Sequence, residues 1–416
     1  MKTKQHPIKD REELLFLLTE AAELEHTAMC SYLYAAMSLK QSIEEGVTEL
    51  ELAKIEGWRK QIRVVAIQEM RHLNLVNNLL SAFGSAPHFF RANFPVPAGR
   101  FPANLEFTLT SFSESTIQHF LMIERPLGVS VLDGTAFRHL QHYHREIHEE
   151  FLSPSACDYP TVGHLYHKIA NGIDTLSEKL GHDALFIGHA DAQVGGSLFS
   201  LPGLFSVTDI ASAHRAIESI VFEGEGAPGH SEDSHFFRFE TIAQELNELK
   251  TARPDFEPAR LTAVNPVLQN SYGKSGQETN ITHPLAMRVV DLGNCLYTLM
   301  LRTFTQVFSP NPFQQNIRTE MAKAATKMMH ILMSLADAAT HLPIKKEGGD
   351  LRACIGFEIV GSITQLSHHS ACEVISERAF ELVSAIRLLE KEIALPGVAD
   401  SLESVAQNLK ILRPSE

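Results

Sequence analysis

The chain has 416 residues, 44% of them hydrophobic and 21% charged, with 36 basic and 50 acidic side chains and a formal net charge of −14. That length points to two domains with ample apolar mass for a core, and the acidity argues against a nucleic-acid partner. No apolar run is long enough to span a bilayer, no apolar leader opens the chain, and Cys30, Cys157, Cys295, Cys354 and Cys372 form no C-x-x-C pair. These features read as a reduced, cytoplasmic protein without a disulfide frame or a thiolate zinc site.

Residues 10–41 read as a long helix, because Leu14, Leu18, Ala21, Glu25, Ala28, Tyr32, Ala36 and Leu39 recur at steps of three and four. Thr48, with Glu51 three residues on, forms a capping box for a second helix. Its stripe runs Ile55, Trp58, Ile62, Val65, Glu69, His72, Val76, Leu79 and Phe83, and Gly84 ends it. Two long helices with a short connection predict an antiparallel hairpin.

Residues 87–102, rich in proline and aromatics, read as an ordered loop, and residues 113–125 as a helix stopped by Pro126. A histidine-rich run, 139–148, puts His144 and His148 at i, i+4, and is weighed mainly as a solvated face. Residues 161–180 read as helix and 184–207 as irregular loop or short strand. Thr208 or Asp209 caps a helix to Glu223, and 235–249 is another amphipathic helix. A proline- and glycine-bearing linker, 251–284, carries the domain boundary. Beyond it, 285–308, 313–339, 356–366, 371–393 and 401–412 read as helices. The expected organisation is a bundle domain (1–250), the linker, and a smaller C-terminal helical domain (285–416), mainly α throughout.

Glu25 interrupts an apolar stripe, and a buried carboxylate costs several kcal/mol, roughly, unless it is paired, protonated or metal-bound. Tyr32, seven residues on, shares its face within about 20°, whereas Glu23 points elsewhere and is expected in solvent. Glu69 and His72 interrupt the second stripe at E-x-x-H spacing, about 60° apart on the helix. That pattern on an inner bundle face marks di-iron or di-manganese carboxylate sites. The plain alternative is a buried Glu25–His72 or Glu25–Arg71 ion pair. Glu124 continues the stripe of Ser113, Ile117 and Leu121 and is the third-helix candidate. The fourth contribution stays open among His214, Glu218, Glu225 and His235, and departs from the symmetric pattern.

The blocks ELEHTAMCSYLY (23–34), QEMRHLNLVNNLL (68–80), FLMIERP (120–126), GHLYHKI (163–169), FSVTDIASAHRAIESIVFEGEGAPG (205–229) and SHFFRF (234–239) resemble the ferritin-like domain of iminophenyl-pyruvate dimer synthases. The resemblance covers most of residues 10–250 and continues more weakly around 352–358. It implies a ferritin-like four-helix bundle with long irregular insertions. It also implies metal ligands at Glu25, Glu69, His72 and Glu124, and raises Glu225 and His235 above Glu218. The dimer synthases are much longer chains that couple two aromatic imines oxidatively, and haem has been associated with some of them.

The leading expectation is therefore a non-haem enzyme with two iron ions, or manganese in their place, haem being left open. It would use dioxygen or peroxide on a small, amino-acid-derived substrate admitted past loops 85–105 and 185–207. Tyr32 would serve as hydrogen-bond donor or one-electron relay, and a homodimer is compatible with the pattern. The competing expectations are a ferroxidase without organic substrate and a metal-free scaffold with buried ion pairs.

Overall fold

The computed structural model describes residues 7–97, 99–101, 105–137, 152–154, 159–224, 233–268, 276–308 and 315–412. Its spine is the expected hairpin. Helix α1 (Arg11–Ser38) starts at Asp10, whose carboxylate accepts from the Glu13 N–H at 2.9 Å. Helix α2 (Glu49–Ala82) starts at Thr48, with both halves of the Thr48–Glu51 capping box formed.

The other two places around this hairpin are each filled by a pair of shorter helices. Helix α3 (Glu114–Ile123) is capped by Ser113, and α4 (Val162–Leu180) follows. After the brief α5 (His182–Leu185) and α6 (Gly196–Phe199) come α7 (Ile210–Gly224) and α8 (His235–Ala252). α3 packs on α8, α4 on α7 and α1, and α2 on both α7 and α8. The end of α3, the starts of α4 and α8 and the end of α7 converge beside the middle of the hairpin.

Residues 251–268 and 276–283, expected as linker, press against the bundle. Phe256, Ala263 and Ile281 are fully buried, and Arg260 Nε lies 2.6 Å from Glu45 Oε1. Their β1 (Pro266–Val267) and β2 (Thr279–Asn280) form a two-residue parallel pair. Helix α9 (Pro284–Val307) then hairpins with α10 (Gln315–Thr340), and α11 (His368–Leu389) and α12 (Val398–Ile411) pack on this pair. α10 touches α1 and α6, so one apolar core runs from Ile8 to Leu409. No described helix is long and apolar enough to cross a membrane.

One segment differs from its sequence reading. Residues 356–366 form no helix, because side chains on α9 take up their backbone groups. Thr298 Oγ1 accepts from the Val360 N–H at 3.0 Å, Arg302 Nε donates to Ser362 O at 2.7 Å, and Gln306 Oε1 accepts from the Leu366 N–H at 2.8 Å. Side chains four residues apart on a helix thus serve as a ladder for a non-helical segment, a relation invisible in local periodicity. Residues 184–207 form short helical turns joined by coil, with no strand among the described residues.

Candidate metal centre

Periodicity carries Glu25 from α1 and Glu69 and His72 from α2 to the shared inner face of the hairpin, where all three are buried. Glu124, the C-cap of α3, and His235, the first residue of α8, reach the same place from the helix ends. Their donor atoms form two groups, Glu25–Glu69–His72 and Glu69–Glu124–His235, each with every ligand atom within 4.8 Å of the others. Glu69 belongs to both. Its Oε2 lies 3.2 Å from His72 Nδ1, and its Oε1 lies 2.9 Å from His235 Nδ1. Glu25 Oε2 is 3.5 Å from His72 Nδ1, and Glu124 Oε2 is 3.5 Å from His235 Nδ1. The two imidazoles stack with centroids 5.4 Å apart.

Tyrosines hold the outer carboxylates. Tyr32 donates to Glu124 Oε1 and packs edge-on against Phe120 at 4.6 Å, while Tyr166 of α4 donates to Glu25 Oε1. Glu223, in the last turn of α7, places Oε2 2.9 Å from His72 Nε2 and pairs with Arg71. Tyr166 and Glu223 are not among the residues expected at the site from the sequence. Their signals were present: Tyr166 follows the inner stripe of its helix, and Glu223 lies one turn beyond Ile220.

Burial dominates the electrostatics. Glu25 is pushed up to about 8 by burial and by Glu69 beside it, and burial also raises Glu69. His72 is held down to about 4 by burial. For His235, burial opposes the cation but is outweighed by Glu69 and Glu124, which lift it to about 10. Both tyrosines sit well above their usual range, through burial first and the neighbouring carboxylates second. Neither ring nitrogen of the fully buried His235 finds hydrogen-bond geometry among the described residues. A buried donor or acceptor left so is costly. A cation between His235, Glu69 and Glu124 would use the nitrogen and neutralise the acids together, so this donor set fits a pair of hard or borderline metal ions.

Other expected positions are not brought here. Glu218 is exposed, and His214 Nε2 pairs with Asp174 at 2.7 Å. Glu225 and the histidine run with His144 and His148 lie outside the described residues. Glu23 is buried, not solvated, because loop 87–101 covers its side of α1: Arg100 Nη2 reaches it at 2.6 Å and His88 Nε2 at 3.3 Å. Arg71 pairs with Glu223 and not with Glu25. The sequence also carries E-x-x-H spacing at Glu232 to His235, but Ser234 caps α8, so this spacing is not a helical one, and Glu232 lies outside the described residues.

A helical scaffold holding two acid–histidine groups that share one carboxylate agrees with the match of a ferritin-like family model to residues 18–244, more than half the chain. The chain belongs to the ferritin-like family. It is 26% identical over 382 residues to dichlorochromopyrrolate synthase of Lentzea aerocolonigenes, covering 82% of this chain and 35% of that one. It is 28% identical over 416 residues to 2-imino-3-(indol-3-yl)propanoate dimerase of Chromobacterium violaceum, covering 92% and 37%. These relatives meet the resemblance read from the sequence blocks. The chain spans about a third of the length of either one. A ferritin-like protein of known structure from Caulobacter vibrioides aligns with a TM-score of 0.47 at 18% identity, covering 79% of this chain and 96% of that one.

Proposed function

We propose that the chain is a di-iron oxidoreductase, manganese being the alternative ion, that turns dioxygen or peroxide on a small amino-acid-derived imine. The observation that supports it most is the shared position of Glu69 between two acid–histidine groups. Glu25 and His72 would complete one ion's protein ligands, Glu124 and His235 the other's. Oxygen-rich donors with one imidazole each suit iron or manganese over thiolate-seeking ions. When bound, the ions would supply redox equivalents and a place for the oxidant. The imine class comes from the relatives, one of which is named for an indolyl imine.

The chain's own groups shape what such a centre can do. Glu223 orients His72 through Nε2, leaving Nδ1 for the ion. Tyr32 and Tyr166 keep hydroxyl protons against Glu124 and Glu25, where they fix the carboxylates and stand ready to hand a proton inward. Leu24, Ala28, Ile123 and Ile220 keep bulk water out. The cavity beside the acids measures about 30 Å³. A water needs about 10–15 Å³ on this scale, so the space suits an oxidant and not an indole ring. An organic substrate therefore reaches the centre only if the helix ends around it shift.

Elemental analysis of the purified protein, with optical spectra after ferrous ion and air are added, tests this. Two iron or manganese ions per chain, and a spectral change absent from Glu69→Gln, are expected. Protein that holds neither metal and gives no spectral change refutes the reading.

A further inference from the structure

On the far face of the α1–α2 hairpin lies a second cavity, of about 50 Å³, closed on its other side by α9 and α10. The same helical turns serve both chambers. Glu25 and Glu69 face the centre, and their neighbours His26 and Met70 face this cavity. Its wall is notable for Met29, Met70, Met300, Met329 and Met333, with leucines and Phe304 between them. His26 Nε2 is engaged by Tyr297 Oη at 2.5 Å and Asn74 Nδ2 donates to Met70 O at 2.7 Å, whereas the buried His26 Nδ1 and Asn74 Oδ1 find no hydrogen-bond partner among the described residues. The surface that faces the void is nonetheless apolar; apolar voids stay dry, and an engineered one of roughly 150 Å³ admits benzene or xenon. At a third of that volume the guest is restricted to the size of a gas molecule. Met70, Met329 and Met333 are only half-buried, so the outer wall is made of unbranched, easily rotated thioethers that can let a small guest pass.

We infer that this methionine-lined chamber is a docking site for a small apolar gas, and that dioxygen is the gas it holds for the centre one helix away. The assignment of dioxygen rests on the oxidoreductase reading; the apolar chamber does not. Oxygen partitions from water into apolar surroundings, so a dry chamber against the wall of the centre raises its local supply without any polar contact.

Crystals of the full chain pressurised with xenon test the chamber. One xenon site is expected among Leu73, Met300 and Leu332. Leu332→Phe should abolish that site and slow air oxidation of bound ferrous ion several-fold at unchanged iron content. Leu332→Met, which conserves volume, should keep both, and it controls for misfolding of the larger variant. Absence of xenon in the parent protein, or ordered water bonded to His26 or Asn74 in the chamber, overturns the inference. So does parental oxidation speed in a folded, xenon-free Leu332→Phe protein. Protein that binds xenon but no metal overturns the reading of the centre and dioxygen's part with it. The xenon peak separates that failure from failure of the chamber itself.

Discussion

Glu223 Oε2 stands 2.9 Å from His72 Nε2, on the opposite side of the ring from Glu25 and Glu69. A carboxylate there fixes which nitrogen carries the proton and turns the other toward the acids. Arg71, paired with the same carboxylate, holds Glu223 in place. Replacing Glu223 by Gln should lower metal affinity by about 10–100-fold, the usual effect of losing such a partner. Titration of the metal-free protein with ferrous or manganous ion measures it. Unchanged affinity would show that His72 needs no orienting group.

The shared place of Glu69 makes a distinct forecast about stoichiometry. Glu69→Gln should lose both ions, because each group depends on that residue. Glu124→Gln should lose chiefly the ion of the His235 group, taking metal content from two toward one per chain. Elemental analysis of the two variants side by side distinguishes a shared carboxylate from two independent sites. Equal losses in both variants would remove the distinction.

Proton linkage sets a direction for stability against pH. The folded, metal-free chain keeps a proton on Glu25 up to about 8, against the usual 4.5. It likewise keeps one on His235 up to about 10, against 6.5. Stability from groups raised in this way is fully present below the unfolded value and is lost as pH climbs through the folded one. His72, depressed to about 4, works in the opposite sense, but only below 6.5. Between pH 6.5 and 8, Glu25 and His235 therefore act together, and the melting temperature of metal-free protein should fall. Metal affinity should rise over the same interval, since the ligands must shed those protons. Thermal melts at the two ends of this interval check the sign, and Glu25→Gln should flatten part of the slope. A melting temperature that climbs toward pH 8 would contradict the burial of these groups.

Tyr166 is the other residue whose role is measurable without turnover. Tyr166→Phe removes the hydroxyl that serves Glu25 Oε1 in a fully buried setting. An acceptor stranded in that way costs about 1–3 kcal/mol. Urea unfolding of metal-free protein should show that loss. Metal, by occupying Glu25, should reduce it. A variant as stable as the parent would mean that Glu25 finds another donor.

What local pattern determined is what a single helix can express. The three- and four-residue rhythm placed Glu25, Glu69 and His72 on inner faces, and the Thr48–Glu51 box marked the start of α2. Pro126 likewise announced the end of α3, beside Glu124. Such signals are legible because helical geometry links neighbours in the chain.

Only the tertiary structure decided the rest. It chose Glu223 as the partner of His72, set Tyr166 over Glu25, buried Glu23 under loop 87–101 and laid residues 356–366 along α9 without helix. The partners in each case are separated by tens to hundreds of residues. Their pairing follows from which polar groups are left needing company once distant segments pack, and no local rhythm encodes that.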